Sequence, residues 1–323
     1  MEQHLQRGYH IVSQFKGTYI FKQNGVELGR SQNIITSNGK KMILEYLSGS
    51  RQNWAADMAV GAMPTNALGQ APLATDTQLN FETARYPVTL KTFISATDTN
   101  PDLIVVRSTL PVDLYANIYE VGLYPTNYSN FFNSTRNNII LTDFSNLSLW
   151  NTVSGTTSIN QFIGQGYGSP RIGSNSVNIN TDTIYSSSIL NIGFSNYTNI
   201  DSLQLLVFNT AAGMVYVTLT DVSGKEQTVS FTTVDNADYS VLSMAFDQNT
   251  SGINYAPISE FSAITNISIS TDSNSILTLD AIKVSSANEI STQESLVSKS
   301  VLSNPIPKNP NIPLDIEYYV ELL

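Results

Sequence analysis

The chain has 323 residues and a mass of 35.3 kDa, and it carries many short polar side chains but few charges. Asn, Ser and Thr make up nearly a third of it, whereas charged residues account for 13%, about half the share of an average soluble domain. The net charge of −10 argues against nucleic-acid binding, which requires clustered Lys and Arg. Cysteine is absent and both histidines, His4 and His10, lie near the start, so disulfides, thiolate metal sites and a Ser-His-Asp triad are excluded.

The same composition predicts a mainly β protein. Asn, Ser and Thr compete with the helix backbone and favour turns and strands, while 41% of hydrophobic residues is enough to build a core. The length suits two cores rather than one. Because no signal-peptide pattern opens the sequence and no apolar run approaches about 18 residues, we expect a soluble protein, neither classically secreted nor inserted into a membrane.

The first part of the chain predicts several strands and one helix. Asn24-Gly25 reads as a turn after the first strand, and the apolar residues between 42 and 47 fall on one face of a short helix that ends near Gly49. At the other end of the chain, the alternation of residues 314–322 predicts a strand that closes a sheet begun early. The remaining strands predicted in these flanks are 17–21, 58–61, 86–90, 103–107 and 118–124.

The middle of the chain differs from its flanks in charge. Residues 139–289 contain three basic and twelve acidic residues, so they carry nearly the whole net charge. Polar, turn-prone stretches border this block as linkers would. We therefore predict a discontinuous domain, residues 1–138 plus 290–323, interrupted by an inserted domain at 139–289. Short strands at regular spacing predict a β-sandwich for the insertion: 202–208, 215–221, 227–231, 264–270 and 276–284.

Three motifs occur in a fixed order in the flanks. They are Asn-x-Ile-Thr-x-x-Gly at Asn33–Gly39, Leu-x-x-Glu-x-x-Arg at Leu79–Arg85 and Glu-Val-Gly-Leu at Glu120–Leu123. Together they resemble tail-fibre and baseplate-associated proteins of tailed bacteriophages, in which such motifs recur in this order. The resemblance implies a virion protein that is made in the host cytoplasm, contacts other tail proteins and forms a homo-oligomer, with a trimer as our guess.

The internal block begins and ends on two further patterns. Residues 141–150 contain Asp143-Phe144 followed by Trp150, and residues 277–284 contain Asp280 close to the exit of the chain. These segments are similar to the first and last strands of galactose-binding-like and carbohydrate-binding jelly rolls. The resemblance implies a jelly-roll fold for the insertion and, as a hypothesis, a host cell-surface glycan as its ligand.

Glycan-binding modules use flat aromatic faces together with short amides and carboxylates. Tyr167 lies between glycines that leave it little to pack against, and the alternative for every candidate is ordinary packing in the core or at its rim. The predicted platforms, all in or beside predicted loops, are Trp150, Tyr167, Tyr197, Tyr239 and Tyr255.

Jelly rolls of this kind often hold a structural calcium ion between their first and last strands. Asp143 and Asp280 would lie on those strands and supply two of the six to eight oxygens that calcium needs. The alternative is a solvated or hydrogen-bonded Asp. We keep calcium as a possible cofactor and expect no other.

Catalysis is not expected from this sequence. No pair among the twelve acidic residues of the block has a surrounding motif, and no long repeat of a β-helical depolymerase is present. Glu82, Arg85 and Glu120 are interpreted as a structural polar cluster. The prediction is therefore a structural and adhesive virion protein. Three alternatives stay open: a purely architectural spacer, a capsid or collar decoration protein, and a polysaccharide-degrading enzyme with an appended binding module.

Overall fold

The computed structural model of the protein describes residues 15–63, 71–95, 102–125, 138–163, 169–188, 190–193, 202–208, 210–246, 258–285 and 295–322. Over these residues the fold is mainly β with a single short α-helix, which confirms the predicted fold class. No helix in this part of the chain is long and apolar enough to cross a membrane. The predicted domain boundaries adjoin segments outside the described residues, and they stay predictions.

Within the described residues, eight strands and the helix come first, twelve strands follow, and two strands come last. The first group is β1 (Phe15–Gln23), β2 (Val26–Gln32), β3 (Ile34–Ile35), α1 (Ser37–Leu47), β4 (Asp57–Gly61), β5 (Glu82–Pro87), β6 (Leu90–Ile94), β7 (Leu103–Leu110) and β8 (Ala116–Tyr124). The second is β9 (Asn138–Thr142), β10 (Trp150–Ser154), β11 (Thr157–Gln161), β12 (Asn175–Ile179), β13 (Ile184–Ser187), β14 (Ile192–Gly193), β15 (Ser202–Phe208), β16 (Gly213–Asp221), β17 (Glu226–Thr233), β18 (Ser240–Ala245), β19 (Ala263–Thr271) and β20 (Leu277–Ser285). The last is β21 (Ser298–Lys308) and β22 (Leu314–Leu322).

The first and last groups form two antiparallel sheets, which we call the first sandwich. Sheet I has the order β2-β1-β22-β7-β6, and sheet II has the order β3-β21-β8-β4-β5. Because β22 pairs with both β1 and β7, the end of the chain closes a sheet begun at its start, as its alternation predicts. Side chains of both sheets, such as Phe21, Val60 and Ile316, share one core, and α1 adds Met42 and Ile43 to it.

The second group forms the second sandwich. Sheet III has the order β11-β12-β20-β15-β18 with β9 beside β20, and sheet IV has the order β10-β13-β19-β16-β17 with β14 beside β19. The two sheets share a separate core, to which Leu205 and Leu279 contribute from sheet III and Val217 and Ile267 from sheet IV. The predicted strands of this block and the hairpin at its centre (β16 and β17) are present.

Local sequence explains the predicted turn and helix. Asn24 and Gly25 take positive φ angles of 51° and 79°, the conformation that a two-residue hairpin turn requires, and Asn and Gly adopt it at low cost. Helix α1 begins after Thr36, whose hydroxyl accepts a hydrogen bond from the Gly39 amide at 2.9 Å. A Cβ at Gly39 would lie 2.0 Å from the Val297 carbonyl oxygen, so only glycine fits there.

The sequence prediction is incomplete, since several short strands such as β2, β3 and β18 were not predicted, and in two places the difference involves proline. Residues 86–90 do not form one strand: β5 ends at Pro87 in sheet II, and the chain crosses to begin β6 at Leu90 in sheet I. Strand β21 has no counterpart in the prediction, because it contains Pro305 and Pro307, which cannot donate to a ladder. The pairing with β8 is irregular between Val301 and Ile306, a stretch that includes Pro305, and Pro307 stands in the resumed ladder opposite Asn117.

Candidate functional site

The structure places the described aromatic candidates inside the protein. Trp150 is 8% exposed and packs against Tyr185 and Phe144, with ring centroids 5.1 and 5.0 Å apart. Tyr239 is buried as well and stacks on Phe208 at 4.9 Å. Neither ring offers an open face to a ligand, because both side chains are buried. The other three candidates, Tyr167, Tyr197 and Tyr255, lie outside the described residues.

Asp143 and Asp280 come together as the predicted strand order requires. Strand β9, which Asp143 directly follows, pairs with β20. Burial raises the pKa of Asp280 to about 8; Arg171 opposes this shift, and the charge of Asp143 adds to it. The Arg171 amide donates to Asp280 Oδ2 at 2.7 Å. Among the described residues no group of three or more His, Cys, Asp or Glu could hold a metal ion, and the calcium site stays a prediction.

The outward face of sheet IV is a polar surface that extends over four strands of the second sandwich. In β16, Val215, Val217 and Leu219 point into the core and are fully buried, so the alternate residues point outward. The neighbouring strands repeat this alternation with Ser, Thr and Asn at the outward positions. We call this surface the Tyr216 face, and its members are Ile184, Ser186, Tyr216, Thr218, Thr220, Thr228, Ser230, Asn266, Ser268 and Ser270.

Strand register arranges these side chains in rows. Tyr216 lies opposite Ser230 on β17 and opposite Ser270 on β19, and Ile184 continues the row on β13. The row therefore spans four strands, about 14 Å. Tyr216 is 38% exposed. Because its direct neighbours are the smallest hydroxyl residues, the ring is not stacked between large side chains.

The two central rows of the Tyr216 face, those of Tyr216 and of Thr218, contain no charged residue in the described strands. The second row is Thr228, Thr218 and Ser268, and the Thr218 and Thr228 hydroxyls are hydrogen-bonded at 2.8 Å. Glu226, at the end of β17, lies directly opposite Thr220 and brings a negative charge to that end of the face. A neutral face with an accessible aromatic ring and many hydroxyls suits a ligand that is itself neutral and rich in hydroxyl groups.

Sequence reasoning missed Tyr216 because it searched for aromatic rings in loops. A signal was present in the run from Val215 to Thr220, where apolar residues alternate with Tyr216, Thr218 and Thr220. An aromatic residue in the polar phase of a strand points away from the core.

The polar cluster predicted in the first sandwich is present but divided in two. Arg85 donates two hydrogen bonds to Glu82, at 2.7 and 2.6 Å, and its guanidinium lies 3.6 Å from the centre of the Tyr124 ring. Glu120 instead accepts the backbone N–H groups of Asn80 and Phe81. Burial raises the pKa of Glu120, against the opposing effects of Lys299 and of these N–H groups. Both groups organise loops around β5 and β8.

No protein-family model matches the sequence, and no curated protein matches it. Among solved structures, a family 11 carbohydrate-binding module from Clostridium thermocellum in complex with a mixed-linked tetrasaccharide is 13% identical, with a TM-score of 0.33 over 49% of this chain and 100% of its own. The module CsCBM6-3 from Clostridium stercorarium is 14% identical, with a TM-score of 0.30 over 48% and 98%. The enzymatically active domain of tailspike protein 4 of bacteriophage CBA120 is 13% identical, with a TM-score of 0.27 over 44% and 20%. Likenesses this weak carry no conclusion about the ligand or the activity of this chain.

Proposed function

We propose that this chain is a structural, non-enzymatic protein of a tailed-phage virion, of the tail-fibre or baseplate type. In this proposal the first sandwich docks to other tail proteins or to copies of the chain. The second sandwich, as an inserted domain, binds a neutral glycan of the host surface through the Tyr216 face. The virion part is supported by the motif order at Asn33–Gly39, Leu79–Arg85 and Glu120–Leu123.

The observation that carries the glycan part is the position of Tyr216. Its ring stands on a neutral strand face between Ser230 and Ser270. An aromatic ring packs against the apolar C–H face of a sugar, while the hydroxyl groups around it exchange hydrogen bonds with the sugar hydroxyls. Isolated aromatic residues are common on protein surfaces, and the surrounding rows of Ser and Thr distinguish this one.

The test is a binding screen of the full chain on a panel of neutral and acidic polysaccharides, followed by two Tyr variants. We expect Tyr216→Ala to weaken binding to the captured glycan at least tenfold, about 1.4 kcal/mol. Tyr46→Ala is the matched control, because Tyr46 is similarly exposed, at 43%, but lies on α1 in the first sandwich. Normal binding by Tyr216→Ala, or equal losses in both variants, would contradict the assignment of the face.

The same screen separates the remaining alternatives. A full chain that is folded but binds no glycan would favour an architectural spacer, and the glycan part of the proposal would fall. Running the screen with calcium and then with a chelator tests the ion predicted at Asp143 and Asp280. Release of reducing ends from a bound polymer, abolished by removal of one carboxylate, would favour the polysaccharide-degrading enzyme.

The place on the particle requires a separate experiment. Antibodies against the first sandwich, visualised by electron microscopy on purified virions, should label the tail. Labelling of the capsid or the collar would favour a decoration protein instead. Light scattering of the purified chain would test the expected trimer.

A further inference from the structure

The two sandwiches meet around one buried side chain, Arg171. It belongs to the segment between β11 and β12 of the second sandwich and is 2% exposed. Its guanidinium lies 3.9 Å from the centre of the Tyr119 ring, on β8 of the first sandwich, and 4.0 Å from the centre of the Tyr239 ring, in the second. Its Nη1 group donates to the Met63 carbonyl of the first sandwich. A single cation therefore contacts both sandwiches.

Backbone pairing continues across the same contact. Ile172 forms an antiparallel bridge with Ala116 at the start of β8. The Asn117 amide donates to the Arg171 carbonyl at 2.9 Å, and the Gly173 amide donates to the Tyr115 carbonyl at 3.1 Å. At the Ala116 end of β8, strand β21 pairs with one edge of β8. Strand β4 pairs with the other edge only as far as Gly61, which lies opposite Glu120, so the contact with Ile172 forms beyond the end of β4. The second sandwich thus adds one isolated β-bridge to the edge of β8 in sheet II.

Apolar side chains complete this contact, which we call the junction. Ala62 and Phe81 of the first sandwich share one buried cluster with Ile172, Phe208 and Ala281 of the second. Lys283 of β20 is also buried, with its ammonium group 4.0 Å from the centre of the Phe81 ring. Desolvated cation–aromatic contacts of this kind stabilise only while both partners stay in place.

We infer that Arg171 is a positioning residue that fixes the second sandwich to the first, so that the two sandwiches unfold as one cooperative body. The inference goes beyond the proposed function and does not depend on glycan binding. If it holds, the Tyr216 face keeps a fixed orientation relative to the first sandwich.

The two tryptophans of the chain allow a direct test on the full-length protein. Trp54 is buried in the core of the first sandwich and Trp150 in the core of the second. Trp150→Phe therefore leaves a fluorescent reporter in the first sandwich, and Trp54→Phe leaves one in the second. With Arg171 present, we expect both reporters to give the same urea midpoint.

Replacing Arg171 should separate the two reporters. In each single-tryptophan background, Arg171→Met keeps an unbranched, flexible side chain, shorter than that of Arg, and removes the charge. We expect the two midpoints to move apart by about 1 M urea. General destabilisation would instead lower both midpoints together. Arg171→Lys keeps a cation between the two rings, so the urea midpoints of the two reporters should lie closer together than in Arg171→Met.

Two further variants keep the test decisive if Arg171→Met does not fold. Tyr119→Leu removes one of the two rings and should separate the midpoints in the same way. Lys225→Met, the control, removes a half-exposed cation of the second sandwich that pairs with Glu260 and should leave them coincident. The inference would be overturned if the two reporters gave different urea midpoints while Arg171 and Tyr119 are intact. It would also be overturned if Tyr119→Leu lowered both midpoints by the same amount.

Discussion

The outward faces of sheets I and IV arise from the same alternation of strand residues but differ in charge. On sheet I, Glu317 accepts hydrogen bonds from Lys22 Nζ at 2.6 Å and from Arg107 Nε at 2.9 Å, and Lys16 lies 3.9 Å from Glu321. On sheet IV, the Tyr216 face presents hydroxyl and amide groups. The face of sheet I is a set of paired charges, and the Tyr216 face is neutral in its central rows.

The difference concerns which polar groups remain free for a ligand. Burial opposes the ionisation of Glu317, but hydrogen bonds from Lys22, Tyr319 and Arg107 outweigh it, so the pKa of Glu317 lies below its ordinary value. A ligand that engaged these charges would have to break pairs already formed. A Ser or Thr hydroxyl can donate one hydrogen bond and accept two, so a single internal bond leaves capacity for a ligand.

Removal of Glu317 should have the largest effect, because it leaves Lys22 and Arg107 without their shared carboxylate. We expect Glu317→Ala to lower the free energy of unfolding by about 3 kcal/mol, as for other broken ion pairs with a buried partner. Glu321→Ala is the control, since the Lys16–Glu321 pair is long and partly exposed and should contribute below about 1 kcal/mol. Urea unfolding measures both, and equal losses would refute the distinction.

The pH dependence of the free energy of unfolding should have opposite signs for Glu317 in the first sandwich and for Asp280 in the second. Because the folded pKa of Glu317 is lowered, Glu317 contributes fully to the free energy of unfolding above pH 4.5, its ordinary pKa. This contribution is lost as the pH falls through the lowered pKa. Burial raises the folded pKa of Asp280 from 3.8 to about 8. Protonated Asp280 therefore contributes fully to the free energy of unfolding below pH 3.8, and this contribution is lost as the pH rises to about 8.

Urea midpoints measured across this pH range would test these signs. Glu317→Gln should flatten the acidic limb of the stability curve, and Asp280→Asn should flatten the decline towards pH 8. An Asp280→Asn curve parallel to that of the unmodified chain would mean that Asp280 is ionised throughout.

A smaller effect is expected within the Tyr216 face. Thr218→Val keeps the shape and strand preference of the residue, so the free energy of unfolding should change by no more than about 0.5 kcal/mol. Loss of the hydroxyl should weaken glycan binding about threefold to tenfold, the range for one neutral hydrogen bond. Thr92→Val on the exposed edge strand β6 is the matched control and should bind normally. Unchanged binding in Thr218→Val would restrict the site to the Tyr216 row.

The smallest effect should be that of salt on glycan affinity. Ionic strength screens charges but leaves neutral hydrogen bonds and ring packing nearly unchanged. We expect less than about a twofold change in Kd between low and physiological salt. A steep loss of affinity with salt would indicate an anionic ligand bound to Lys or Arg, away from the Tyr216 face.

The sequence predicted those parts of the fold that local patterns determine. Alternation identified the hairpin of β16 and β17 and the closing strand β22, and Asn24-Gly25 identified the first turn. Strand β21 escaped prediction because Pro305 and Pro307 oppose a strand, and only its pairing with β8 keeps it in sheet II.

The candidate site was less accessible to prediction from the sequence. Trp150 belongs to the core because Tyr185 and Phe144 come from other segments to cover it, and local sequence does not encode that packing. Arg171 was counted only as a charge, since Tyr119, Tyr239 and Met63 are distant from it in sequence. Tyr216 was missed as well, although its strand phase alone indicates an outward position.

The pairing of β9 with β20 has a consequence for how such a chain can change in evolution. Asn138 lies opposite Ser285, so the second sandwich is entered and left on adjacent strands, about 4.8 Å apart. A gene segment encoding residues 138–285 could be exchanged for another whose ends are as close without rearranging sheets I and II. An incoming module would still need a counterpart of Arg171 to occupy the space beside β8, so compatibility between modules would depend on the junction more than on the points of insertion.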